Sequence, residues 1–569
     1  MKINLSINKV LLPMKAHYFL FNAGTGCIVP FMSVLARQLG FSSVTVGIIY
    51  TISPFASMVS KPTMGAFSDR FHCKKIVFLA GILLTALAVF LLNFAPSVPT
   101  SHKMRFSCND MSSTMDTCVD NFTITDDCAV ESITTETGNI TVNCQMTCQM
   151  DSSAWRTVCN AWNMAQYCNT NSSTLSFTAT TPANSARMIN ECLRFNIGSI
   201  NLDGNTFTPL CPAGGQIESS CDIECDAPAL NELVANPLIA DDEVYGHSAF
   251  WVVMLLYVLI WIFQAVAVTN SDAICFHLLE KAPHKYGYQR LWGAVGWGIF
   301  TFCCGYIIDF HSQGKSQKDY TPAIYLGMGM LILNFIVAFF IKYDEPTHKP
   351  NIFRDVGRLL TNVRFLVYIV WSIFVGICVA MVWNFLYWVV EDIAAEAGCD
   401  STTWIKTLEG LMQVMQCLAG ELPFFFLSGW ILKYVGHVNC MTLVTFVLGI
   451  RFMLYSIIKN PWLFLPVEML NGITFGLFYS TLASYASLVA PPGAETTCQG
   501  IAGAVFEGVG VSLGSLMGGY LIEIYGGSMT FRILSIAAFV FSVLHALVQF
   551  ILQKCSPNNA PNSDKNLSE

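Results

Sequence analysis

One carboxylate, one guanidinium and one indole stand out in an otherwise apolar stretch, residues 265–300, AVAVTNSDAICFHLLEKAPHKYGYQRLWGAVGWGIF: Asp272, Arg290 and Trp297. A charge inside an apolar span is costly unless paired or wetted, so each suggests function by default. Arg290, Gly293 and Trp297 recur at spacings of three and four, which puts them on one helical face. Gly293, Gly296 and Gly298 let a neighbouring helix approach closely. Such a set suits a small polar ligand whose hydroxyls bond the charges and whose apolar face stacks on the ring. A purely structural ion pair between Asp272 and Arg290, tying two helices, is the competing reading.

The elements that must position these groups are membrane spans. Of 569 residues 53% are hydrophobic and 12% charged, against about 25% charged in an ordinary soluble domain. Several apolar runs reach the roughly 20 residues needed to cross a bilayer. Twelve spans are predicted, at about 12–36, 43–66, 75–95, 248–278, 288–309, 321–341, 364–390, 405–432, 438–458, 462–488, 498–525 and 529–552. The first is too long for a signal peptide and reads as a retained helix. An even number of spans places both termini on one side. With that side cytoplasmic, inner segments carry seventeen Lys/Arg against four in the short outer ones. The expected fold class is therefore an all-α membrane protein of twelve helices in two six-helix halves, with a large loop between the third and fourth. The organisation reads as 1–94 (helices 1–3), 95–247 (an extracellular domain), 248–341 (helices 4–6), 342–363 (a cytoplasmic linker), 364–552 (helices 7–12) and 553–569 (a cytoplasmic tail). In the linker, Ile352, Phe353, Val356, Leu359 and Leu360 share one helical face, as an interfacial helix would.

Residues 95–247 are a different material, with five Lys/Arg, eighteen Asp/Glu and eleven of the 22 cysteines. Outside the cell that cysteine density reads as a disulfide scaffold. Zinc is the rival reading for the C-x3-C pairs Cys144/Cys148 and Cys221/Cys225. The odd count needs a partner, and Cys399, between spans seven and eight, is the outer thiol available to it. Sequons at Asn121, Asn139 and Asn171 are expected to carry glycans.

The segment YGYQRLWGAVGWGIF resembles the fifth helix of the lactose permease branch of the major facilitator superfamily, where an Arg is followed seven residues later by a Trp. Arg290 and Trp297 match those positions, and Asp272 falls where the fourth-helix acidic partner stands. The resemblance to the eukaryotic MFS domain-containing six-like proteins is closer still. It implies that these three residues hold the solute. GAFSDRFHCKK, residues 65–75, resembles the superfamily's cytoplasmic signature and implies a conformational gate at Gly65, Asp69 and Arg70, with His72 where the signature has Gly. Gly429, Lys433 and Gly436 are a degenerate counterpart, at the positions of Gly65, Asp69 and His72. The permease's proton relay implies coupling roles for Glu421 on helix eight, Arg451 on nine and Glu468 on ten, although Asn471 replaces the relay's second helix-ten position and no histidine is retained. Glu409 and Glu507 are further charges within these spans, and packing against an Arg or a helix N-terminus is the plain alternative for each.

These readings lead to a secondary transporter that moves a small polar solute, a sugar or a nucleoside, by alternating access with protons. The setting is a plasma or endomembrane. The alternative is a receptor or adhesion protein that anchors its ectodomain on a transporter fold and meets a protein partner through residues 95–247. No nucleotide loop, H-E-x-x-H or nucleophile elbow occurs, so neither an enzyme nor a cofactor, metal or nucleic acid is expected.

Overall fold

The computed structural model describes residues 11–98, 103–118, 141–167, 172–182, 185, 187–189, 192–213, 215–226, 241–279, 286–313, 315, 317–343, 363–489 and 495–555. Its long apolar helices are α1 Leu12–Gln38, α2 Ser43–Arg70, α3 Lys74–Phe94, α4 Ser248–Leu279, α5 Tyr286–His311, α6 Thr321–Phe339, α7 Val363–Ala397, α8 Ile405–Val435, α9 His437–Ile457, α10 Gly472–Val489 and α11 Cys498–Lys554. That makes eleven where the sequence predicts twelve. The difference lies in α11, which is 57 residues long and is interrupted by non-helical backbone at Gly526 (φ 73°, ψ 168°). Only 39% of the most apolar window of α4 is buried. Leu83, Leu87, Trp251, Leu255, Phe340, Trp430 and Val543 are among many large apolar side chains left open. A surface so apolar is untenable in water, and the molecule is a multi-pass membrane protein.

Local chemistry shapes the helices. The Ser42 hydroxyl accepts from the Thr45 N–H and caps α2. Pro30 sits in a 3₁₀ turn, Val29–Phe31, that interrupts α1. After α2 the chain turns through His72 at φ 50°, and before α9 through Gly436 at φ 80°. The two positions matched in sequence thus share a left-handed backbone, although only one is glycine.

Between α3 and α4 lies a nine-stranded antiparallel sheet running from Lys103 to Cys225. The sequence analysis assigned no strands here. The signal is a period of two: Ile217, Ser219, Cys221, Ile223 and Cys225 all turn inward while their neighbours are exposed. Both C-x3-C pairs are taken up by bonds between adjacent strands, Cys144–Cys225 and Cys148–Cys221, which removes the zinc reading. Cys108–Cys211 is a third bond, and Cys159 is also disulfide-bonded. The three sequons, the linker helix 352–360 and the side chains of Asp69 and Cys399 lie outside the described residues.

Candidate functional site

Asp272 of α4 and Arg290 of α5 form an ion pair, Nη1 to Oδ1 at 3.1 Å and to Oδ2 at 3.4 Å. The Tyr18 hydroxyl of α1 donates to the same Oδ1 at 2.8 Å, and the guanidinium lies 5.7 Å from the Tyr18 ring centroid. Glycines bring the helices together: a Cβ on Gly296 would lie 2.3 Å from the Phe19 carbonyl oxygen of α1. Tyr286 stacks on Phe276 at 4.4 Å beside the pair. Trp297, seven residues beyond Arg290, stands about 10 Å further along the helix. Its indole N–H donates to Gln413 Oε1 of α8 at 3.3 Å. The aromatic face beside the guanidinium is therefore that of Tyr18. The sequence gives no signal for this, because α1 and α5 meet only by packing.

A second charged pair, absent from the sequence analysis as a pair, faces the first. Lys61 of α2 binds Glu507 of α11. Tyr479 of α10 is 45% exposed and lies within electrostatic reach of Lys61, Glu507, Asp272 and Arg290. The four charged side chains are between 26% and 41% exposed, although all stand inside apolar helices. Charges at such depth keep that exposure by lining an open interior space. A lysine within the span 43–66 was the available clue.

Glu468 and Arg451 are sealed instead. Arg451 Nη2 meets Glu468 Oε2 at 2.6 Å, with side chains 2% and 0% exposed. Arg451 also donates to Tyr455, Asn471 and Thr474 at 2.6, 2.7 and 2.8 Å. Tyr455 and Gln416 donate to Glu468. Asn471 then donates to Glu421 Oε1 at 2.9 Å, so Glu421, Glu468 and Arg451 belong to one network. Three π-helical segments run through these helices, Met415–Glu421, Gly472–Leu477 and Val505–Val511, the first ending on Glu421 and the third containing Glu507. Such segments are frequent at functional sites. Of the residues expected from sequence to form a gate, Gly65 has open space where a Cβ would stand and Arg70 lies 5.9 Å from the Phe71 ring.

At the end of the bundle where the sheet attaches, a denser ionic cluster closes the seam between the earlier and later helices. Arg37 of α1 binds Asp392 of α7 at 2.6 Å and Glu391 at 3.6 Å, with its guanidinium 5.0 Å from the Trp388 ring. Lys406 of α8 is held by Glu391 and by Glu409 at 3.1 Å. Asp309 of α5 binds Lys318 at 2.7 Å and accepts from the backbone N–H groups of Lys406 and Thr407, capping α8 from another helix. A Cβ on Gly305 would lie 2.0 Å from the Lys406 carbonyl oxygen, so the two helices are in backbone contact there. Glu409, one of the charges noted in the sequence, belongs to this seal.

Long apolar helices with paired charges between them, tied by ion pairs at one end, make a polytopic membrane protein. The comparisons specify it further: the family model described as "MFS_1 like family" matches residues 11–533, and the chain belongs to that family. It is similar to "Major facilitator superfamily domain-containing protein 6-like" of Danio rerio, 21% identical over 544 residues covering 94% of this chain and 86% of that protein. It is likewise similar to "Major facilitator superfamily domain-containing protein 6-like protein B" of Xenopus laevis, at 22% identity over 95% of this chain and 91% of that one. Among solved structures, that of the nucleoside transporter NupG superposes with a TM-score of 0.57 at 11% identity, covering 95% of this chain and 98% of that one. The protein is thus a secondary active transporter of the major facilitator type.

Proposed function

We propose that this carrier moves a nucleoside or a similarly sized sugar through a site built on Asp272 and Arg290, by alternating access and with protons. The observation that carries the reading is the Asp272–Arg290 pair itself, 3.1 Å apart yet 26% and 41% exposed. A pair that only tied two helices would have no need of that opening. A ribose or hexose hydroxyl can donate to Asp272 and accept from Arg290, while Tyr479, 45% exposed, offers a ring face to a base or sugar. The solute class also rests on the similar solved structure, which is that of a nucleoside transporter. Trp297 is retained in the proposed site as the indole that reaches α8.

The architecture proposed is twelve spans in two halves. A helix of 57 residues would be about 85 Å long, nearly three times the roughly 30 Å hydrocarbon core. Broken at Gly526, it supplies two spans. Both termini are then cytoplasmic, Gly65, Asp69 and Arg70 form the inner gate, and residues 95–247 face outward, where a protein partner could reach them. The seal around Lys406 then closes the outer mouth, and the molecule is held open inward. The coupling candidates from sequence are Glu421 and Glu468, with Arg451 as counter-charge. The anchor-only alternative calls for a sealed interior, and four exposed charges speak against it.

Two measurements test this. In proteoliposomes, a panel of nucleosides and sugars is expected to give saturable uptake of at least one nucleoside. Uptake of none of them, by protein shown to be folded, would refute the solute class. Single Asn→Gln variants at Asn121, Asn139 and Asn171 are expected each to lose one glycan in the mass of the purified protein, fixing the outer face. Unchanged masses for all three would overturn the topology.

A further inference from the structure

The charges inside this protein divide by whether their partners belong to the same half. Arg451 and Glu468 both lie in the second half, 17 residues apart, enclosed with Tyr455, Asn471, Thr474 and Gln416. A rigid rocking of the halves carries this network along unchanged. Lys61 and Glu507 are 446 residues apart, one on α2 and one on α11, and their contact crosses the seam. Both are about one-third exposed. Gly508, next to Glu507, packs against the side chain of Met58 of α2: a Cβ there would lie 2.2 Å from its sulfur. Glu507 itself sits within the π-helical segment Val505–Val511.

We infer that Glu507 is the residue through which protons drive transport, with Lys61 as its partner across the seam in the state seen here. The inference rests on the reading of the protein as a proton-coupled carrier. When α2 and α11 part, the ammonium that favours the ionised carboxylate is withdrawn, and the carboxylate becomes easier to protonate. Transfer of one proton from cavity water to a Glu507 carboxylate oxygen neutralises it, and Lys61 keeps its own proton. When the seam closes again the proton returns to water and the ion pair re-forms. A group whose partner changes with the rocking can couple the two events. The other charged or titratable groups near the pair are Tyr479 of α10 and Arg290 of α5, and Asp272 of α4 lies beyond them. The solute site and the proton site therefore lie within electrostatic reach of each other through Tyr479.

The test uses the full-length protein in proteoliposomes with radiolabelled uridine, and infrared titration of the same protein in lipid without solute. The wild type is expected to accumulate uridine under a proton gradient. Glu507→Gln is expected to reach no more than the equilibrium level and to exchange uridine at a rate independent of pH. The double variant Lys61→Gln/Glu507→Gln, which leaves no unpaired charge, is expected to behave the same way and controls for misfolding. A protonated-carboxyl band that titrates in the wild type should be missing from both variants. If the wild type accumulates uridine and Glu507→Gln does too, the inference fails and proton coupling stands. If wild-type uptake ignores the gradient, coupling and inference both fail. If uridine is not carried, the solute that the panel identifies takes its place, and the infrared band, absent from or present in Glu507→Gln, supports or overturns the role of Glu507 without any solute.

Discussion

Lys406→Met is expected to remove most of the folded protein from the membrane. The ammonium is 1% exposed and is the shared partner of Glu409, which is fully buried, and Glu391. Its removal leaves a buried carboxylate without a counter-charge, which costs about 3–5 kcal/mol. That is a large share of the roughly 5–15 kcal/mol that holds a typical protein folded. The expected readout is loss of the monodisperse peak in detergent chromatography and a sharply lowered melting temperature. Lys406→Met/Glu409→Leu, which removes both ends of the buried pair, is expected to recover part of the loss, because the penalty comes from the orphaned charge. A single variant that melts with the wild type would mean that water reaches this cluster and that it seals nothing. Arg37→Gln, whose partners Glu391 and Asp392 remain partly exposed, is expected to cost much less folding and to loosen the seal.

The second large effect is at the solute site. Asp272→Asn and Arg290→Gln are each expected to lower nucleoside uptake by one to two orders of magnitude. A hydrogen bond to a charged group is worth about 1.5–3 kcal/mol, or roughly ten- to a hundredfold in binding. Each single change also leaves the survivor unpaired, so Asp272→Asn/Arg290→Gln is expected to fold better than either single variant while still failing to transport. That split between folding and uptake separates a ligand site from a helix tie. Were both single variants to bind and carry solute as the wild type does, the site would have to be sought elsewhere, with Lys61, Glu507 and Tyr479 the first place to look. Tyr18→Phe removes one hydroxyl from Asp272 and is expected to have a smaller effect in the same direction.

Much of this was legible in the chain because a membrane imposes one rule on every residue of a span. Helices α1 to α10 follow apolar runs that the composition marks plainly, and the end of the run at 525 anticipates the break at Gly526. Asp272 and Arg290 could be paired from sequence because consecutive antiparallel helices joined by a short turn must lie side by side. The cysteine-rich segment was legible as a disulfide scaffold. Its sheet was not read, since the inward positions of its strands include Ser219 and Met104 as well as more apolar residues. The network of Arg451, Glu468 and Glu421 is suggested by resemblance, and its enclosure is decided by helix packing.

What the sequence determined by itself is therefore local or nearest-neighbour: the spans, the α4–α5 charge pair, and the glycines that let helices close. The tertiary structure decided everything that depends on helices far apart in the chain. It set Tyr18 rather than Trp297 against the guanidinium, turned Trp297 toward Gln413, paired Lys61 with Glu507, and joined Arg37, Asp309, Glu391 and Lys406 into one seal. The physical reason is that helical periodicity fixes which residues share a face, whereas the partner of that face is chosen by packing. In a bundle where nearly every helix is apolar all round, no stripe in the sequence announces which neighbour it will meet.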